Sequence, residues 1–213
     1  MTGVSTRVPW LTTLFVALAA SLSASPAVSD ALVYRRAAVE AGEVWRVFTA
    51  QWVHGSASMA FADLAVVALC GGFLERRHRG LALGAAVGGL LAVALAVHGT
   101  QAQVTHFDGS SGVAAALFVA AALWIALRSG SGRLRVLSIL AVVGIFAKAA
   151  LEQWAGWQLT GVGLPEGARV LPAAHLAGGV AGACGVAWIA RGRGRERTRC
   201  ASDPSPRIAA GAA

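Results

Sequence analysis

The sequence predicts an all-α polytopic membrane protein, a bundle of six transmembrane helices. Three observations carry that prediction. Of 213 residues, 56% are hydrophobic and only 13% are charged, against about 25% charged in an average globular domain. Six long apolar stretches recur along the chain. Arginine clusters fill alternate gaps between them. Six helices of roughly 20 residues use about 120 apolar or small positions, so such a bundle consumes the whole chain. This composition excludes a disordered protein, a disulfide scaffold and an ordinary soluble enzyme. The net charge of +8 could suit nucleic acid. The basic residues are nearly all Arg, however, in short clusters between apolar runs, so a lipid bilayer is the expected partner and nucleic acid is not. Cys70, Cys184 and Cys200 form no CxxC, so no metal site or disulfide framework is expected.

The elements follow in order. The first stretch runs from about Val8 to Val28, the second from Ala57 to Phe73 and the third from Leu81 to Val97. The fourth runs from Ser111 to Leu127, the fifth from Val136 to Leu151 and the sixth from Leu171 to Ala190. All are apolar on every face, as lipid-embedded helices are, and lone strands cannot satisfy their backbone in lipid. Arg76, Arg77 and Arg79 follow the second stretch, Arg128, Arg133 and Arg135 the fourth, and five arginines from Arg191 to Arg199 the sixth. Parity puts these loops on one side, which the positive-inside rule makes cytoplasmic, and Arg7 agrees for the N-terminus. Residues Ser29 to Ser56, His98 to Ser110 and Glu152 to Val170 then face outward. Arg35, Arg36 and Arg46 are a partial exception, balanced by Asp30, Glu40 and Glu43. The first stretch can alternatively be read as a signal peptide, with Arg7 before an apolar core and small residues near Ala24 to Ser29. Residues 1–190 are expected to form the membrane domain and residues 191–213 a basic, disordered cytoplasmic tail.

Two polar features stand out against this apolar background. Gly109-Ser110-Ser111-Gly112 opens the fourth stretch on the outward side. Unpaired N–H groups at a helix start, and the helix dipole, can stabilise an oxyanion. The blander use of such a serine is a helix cap. His175 lies about one turn into the sixth stretch, and an ionisable residue inside a span is a functional hypothesis in its own right. By parity Ser111 and His175 lie below the same outward face. Gly178 and Gly182 form a GxxxG that lets a neighbouring helix approach closely, and Gly112, Ala115 and Ala116 are small on the facing helix. A Ser–His hydrogen bond between the fourth and sixth helices is therefore expected, with His175 as general base for Ser111.

These motifs resemble the rhomboid intramembrane serine proteases. Gly109 to Gly112 matches their GxSG, and Ala174-His175-Leu176-Ala177-Gly178 through Gly182 resembles their AHxxGxxxG helix. Trp45-Arg46-Val47-Phe48-Thr49 resembles their WRxxT, with His54 following. The order covers almost the whole chain. The compact six-span form and Lys148-Ala149-Ala150-Leu151-Glu152-Gln153 look like the rhombosortase branch. That resemblance implies membrane-anchored protein substrates with a C-terminal Gly-Gly sorting tail. It implies Ser111 as nucleophile, His175 as base, and Gly109, Gly112 and Asp63 as oxyanion or supporting positions. Many rhomboids carry a His and an Asn, four residues apart, on the second span; here those positions read Met59 and Asp63. Met59 cannot donate a hydrogen bond, and Asp63 donates only when protonated. That departure motivates a second reading, a pseudoprotease that binds membrane clients without cutting them. A third is a small scaffold or transporter subunit.

Other polar residues carry competing readings. Asp63 lies roughly 10 Å below the start of its helix and can support an oxyanion, partner His175 or make a structural hydrogen bond. His106, Asp108 and Ser110 invite a local triad, although triads are usually assembled from distant segments. Lys148 is a formal alternative base, with an i,i+4 pair to Glu152 its simpler use. Trp45, Trp52, Trp154 and Trp157 suit outward interfaces. Gly84 and Gly88 suit helix packing. The expected activity is endopeptidase chemistry at the bacterial inner membrane, with both termini cytoplasmic and the site opening outward. No cofactor or metal is implied.

Overall fold

The computed structural model describes residues 8–155 and 170–202, the last of these from 192 onward by backbone alone. Arg7, Trp157, most of the third outward region and residues 203–213 lie outside the described residues. The chain is helical throughout its apolar stretches. Among the described residues four helical segments are long and apolar enough to cross a membrane, or five if a bent pair at the N-terminus counts as one span.

That bent pair corrects the first expected stretch. Instead of one helix from Val8 to Val28, α1 covers Trp10–Ser23 and α2 covers Pro26–Leu32, at 108° to each other. The cause is local. Proline lacks an N–H and disfavours helical backbone in the residue before it. Ser25 is accordingly extended, with φ −109° and ψ 110°. Short helices α3 (Arg36–Glu40) and α4 (Arg46–Thr49) follow. All three exceptional arginines there meet the acids that balance them in sequence. Arg35 pairs with Asp30, Arg36 with Glu40 at 3.8 Å, and Arg46 with Glu43 at 2.5 Å.

Helix α5 (Ala57–Val66) is capped by the Ser56 hydroxyl, which accepts the Met59 N–H at 3.2 Å. It runs through a π-helical turn, Val67–Gly71, into α6 (Gly72–Leu95). The apolar segment Ala57–Thr100 is interrupted at His78, whose backbone is extended. The His78 Nδ1 then accepts the Leu81 N–H at 3.0 Å, capping the helix that restarts there. Helices α7 (Ser111–Arg128), α8 (Gly132–Ala155) and α9 (Pro172–Ser202) complete the order. Each runs past the stretch read from hydropathy, because Arg and Glu are good helix formers and end an apolar run without ending a helix. Thus α9 continues to Ser202, into the basic segment that begins at Arg191. One departure from pure helix is a two-residue antiparallel pairing, β1 (Tyr34–Arg35) with β2 (His106–Phe107). It ties the loop ahead of α4 to the segment leading into α7.

Helix α7 is the axis of the bundle. Buried residues Val113, Ala114, Leu117, Ala120 and Ala121 pack with Leu74, Leu81 and Ala85 in one cluster. Contact with α9 is at backbone distance. A Cβ on Gly178 would collide with the Gly112 carbonyl oxygen, and one on Gly182 with that of Ala116. Lipid tails are as apolar as the side chains, so close packing, not hydrophobic burial, holds such helices together.

Candidate active site

The segment before α7 is shaped by one glycine. Gly109 has φ +102°, a left-handed conformation open to glycine and strained for other residues. Its N–H donates to the carbonyls of Ala50 at 3.1 Å and Val53 at 2.8 Å. That N–H is committed and is not free to hold an oxyanion. A Cβ here would lie 3.2 Å from Met59 Cε and 3.4 Å from Asp63 Oδ2. Met59 and Asp63 therefore border the serine loop.

The two serines divide cleanly. Ser110 occupies the N-cap position of α7 but makes no side-chain cap bond. Its hydroxyl lies 3.1 Å from His54 Nε2, and its N–H donates to the same nitrogen at 3.3 Å. Ser110 is fully buried. Ser111, the first residue of α7, is partly accessible. The first N–H groups of a helix have no intrahelical acceptor. With the cap residue turned toward His54, those of Ser111 and Gly112 remain at the helix mouth, where an anion is favoured.

His54 is the hub that sequence reasoning left without a role. Its Nδ1 lies 3.1 Å from Ser23 Oγ, which donates its own proton to the Ala19 carbonyl at 2.8 Å. Nδ1 is therefore the protonated nitrogen facing Ser23. Asp63 Oδ2 lies 3.4 Å from Nε2 and has no hydrogen-bond partner. Aspartate and serine thus meet the same imidazole nitrogen. A Ser–His–Asp triad needs them on opposite nitrogens, so Ser110, His54 and Asp63 form a structural clasp. Asp108 lies over Gly55. Burial pushes its carboxyl up, with His106 and His54 opposing and Asp63 reinforcing the shift. His106 is exposed in β2 and paired with Arg35 through the backbone.

His175 stands on α9 one turn before Gly178, on the face that meets α7. The Ala174 carbonyl lies against Gly112. Ser111 and His175 therefore flank the tightest helix contact in the bundle. Among the described residues they share no hydrogen bond, so the expected Ser–His bond is not made in this state. The charges that reach the imidazole are Lys148, Asp63 and Glu152. Lys148 donates to Glu152 at 2.7 Å along α8, the simpler of its two readings. No metal-binding group of three or more His, Cys, Asp or Glu exists among the described residues.

Trp45 is half exposed and Trp154 is 83% exposed, next to the loops flanking this site. No curated protein matches the chain. A family model described as the Rhomboid domain matches residues 41–192. That match spans well over half of the sequence and includes Ser111, His175 and the Trp45–Arg46 segment, and the chain belongs to the rhomboid family, whose members are generally serine intramembrane proteases.

Proposed function

We propose that the protein is an intramembrane serine endopeptidase with a Ser111–His175 dyad. In this reading it cleaves membrane-anchored proteins bearing a C-terminal Gly-Gly tail, as the rhombosortase resemblance implies. The observation that supports it best is the uncapped start of α7. Ser110 is diverted to His54, which leaves Ser111 at an open helix N-terminus beside the helix that carries His175.

The chemistry follows from those positions. Ser111 Oγ attacks the scissile carbonyl while His175 takes its proton. The N–H groups of Ser111 and Gly112 hold the oxyanion. Asp63 borders Gly109 and supports the serine loop beside His54. His175 returns the proton to the leaving amine, and water then resolves the acyl-enzyme by the reverse route. Catalytic hydrogen bonds in substrate-free sites often tighten only when substrate binds, so the open Ser111–His175 pair is compatible with a dyad. Glycines in the substrate tail make local unwinding easier.

The arginine clusters support a six-span arrangement in the bacterial inner membrane. Both termini are then cytoplasmic and the site opens outward. In this division residues 1–190 form the membrane domain and 191–213 a basic extension. The test is cleavage of a co-expressed substrate with a Gly-Gly membrane tail. Ser111→Ala and His175→Ala each lower the rate about a thousandfold or more, while Ser110→Ala retains cleavage. Inactive native protein whose Ser111 also resists a serine-reactive phosphonate would favour the pseudoprotease, the reading that Met59 and Asp63 motivate.

A further inference from the structure

A cavity of about 280 Å3 lies between α1, the Val67–Gly71 turn and the restarted part of α6. That is just under the range of pockets for drug-sized molecules, about 300 Å3 and upward, and suits one slender group. Its wall is apolar, with Leu14, Leu18, Val87 and Leu117 among the lining residues. Leu14 is 59% exposed and Val87 is 48% exposed, so the cavity opens sideways, toward hydrocarbon. From Leu11 to Leu18 it follows α1 for about 10 Å. That is most of one leaflet of a hydrocarbon core about 30 Å thick.

One end of the cavity is polar. Glu75 is buried, and its carboxylate accepts the Leu11 N–H at 3.1 Å and the Thr12 N–H and hydroxyl, both at 2.9 Å. The start of α1 thereby compensates its charge. Beside it Arg79 stacks over Trp10 at 5.5 Å and approaches Glu75 at 3.5 Å with 43% of its side chain exposed. Arg76 follows Glu75 in sequence and is exposed, while Arg77 stacks over the Phe73 ring at 5.6 Å. With the Glu75 carboxylate held by the start of α1, the exposed Arg79 guanidinium gives that end of the cavity a cationic rim. Planar guanidinium donors match phosphate oxygens in pairs.

We propose that this cavity binds one acyl chain of an anionic phospholipid, with the phosphate held by Arg79. An apolar slot open to lipid and a cationic rim at its end match the two halves of that molecule. Neither half depends on the protease reading.

The test is native mass spectrometry of the full chain in detergent, titrated with phosphatidylglycerol and with phosphatidylcholine of the same chains. One phosphatidylglycerol is expected to bind more tightly than phosphatidylcholine by about tenfold or more. A basic residue near a membrane surface contributes about a fivefold change in affinity, so Arg79→Gln should lower the preference by that factor. Ala86→Phe and Leu14→Trp fill the cavity from opposite walls and should remove the tight adduct; using both guards against one failing to fold. Equal binding of the two lipids, or an undiminished adduct in either folded filling variant, would overturn the assignment. So would displacement of the lipid by an uncharged transmembrane peptide, which would make the cavity a helix-docking site.

Discussion

Helices α7 and α8 are neighbours in sequence and opposites in packing. In the span Ser111–Arg128, 61% of the most apolar window is buried among the described residues, against 6% in Gly132–Ala155. Both windows are apolar, with mean hydropathy 1.8 and 2.1. Hydropathy therefore says nothing about which helix is central. Side-chain size does. Helix α7 begins Gly-Val-Ala-Ala-Ala after Ser111 and meets glycines of α9, so two backbones touch. Helix α8 presents Leu137, Leu140 and Val143 outward and buries only Ser138, Ala149 and Glu152. In lipid, close approach takes the place of hydrophobic burial as the source of helix association. Ser111 and His175 stand on the closely packed pair.

The sharpest way to break this contrast is Gly178→Ala. Its new Cβ would run into the Gly112 carbonyl, a backbone atom that cannot rotate away. We expect a loss of about 3 kcal/mol or more, read as a lower unfolding midpoint in detergent, together with lost cleavage. A neutral result would show that α7 and α9 are not held at backbone distance. The next effect concerns what keeps α8 in place. A Cβ on Gly179 would lie 2.9 Å from Phe146 Cζ, so the Phe146 ring seats in the gap that Gly179 leaves. Phe146→Ala removes that knob from a half-buried position and should cost about 1 kcal/mol, below the range for a fully buried ring. A loss as large as that at Gly178 would mean that α8 is as integral as α9.

The converse substitution tests the same point from the other side. Gly144 in α8 has open space where its Cβ would be. Alanine there lowers the backbone entropy lost on folding and should stabilise by up to about 0.5 kcal/mol. The same Gly→Ala change thus has opposite signs on the two helices. Measured side by side, destabilisation at both sites would show that α8 has a packed face that the described residues do not reveal.

Much of this arrangement is legible in the sequence, and the legible part has a common character. Apolar runs, arginine clusters and the Gly178–Gly182 stripe are each local, so a window of a few residues contains the whole message. The bend between α1 and α2 was also local, in Ser25-Pro26, but the apolar composition on both sides masked it. The His54 hub was not legible. It joins Ser23, His54, Asp63 and Ser110 across four segments, and each residue alone has an ordinary use as a cap or loop residue. The adjacent pair Ser110-Ser111 could not be resolved by spacing, because one residue of helix start decides which hydroxyl turns inward. His54 follows the Trp45–Thr49 motif and precedes Gly55, and those two neighbours were the available clue.

The smallest effect probes where the rigid region ends above α7. Asp108 sits in the segment clasped to His54, and burial raises its pKa from the ordinary 3.8 against the pull of His106 and His54. A carboxyl with a raised pKa binds more protons folded than unfolded between its two pKa values. Stability therefore falls as pH rises from about the unfolded value through the folded one, and stays lower above it. Asp108→Asn removes that ionisation. The variant should match the native protein at acidic pH and exceed it at neutral pH, as read from unfolding midpoints across a pH series. A native–variant difference that does not change with pH would place Asp108 in solvent. The clasp at His54 would then mark the outer limit of the packed core.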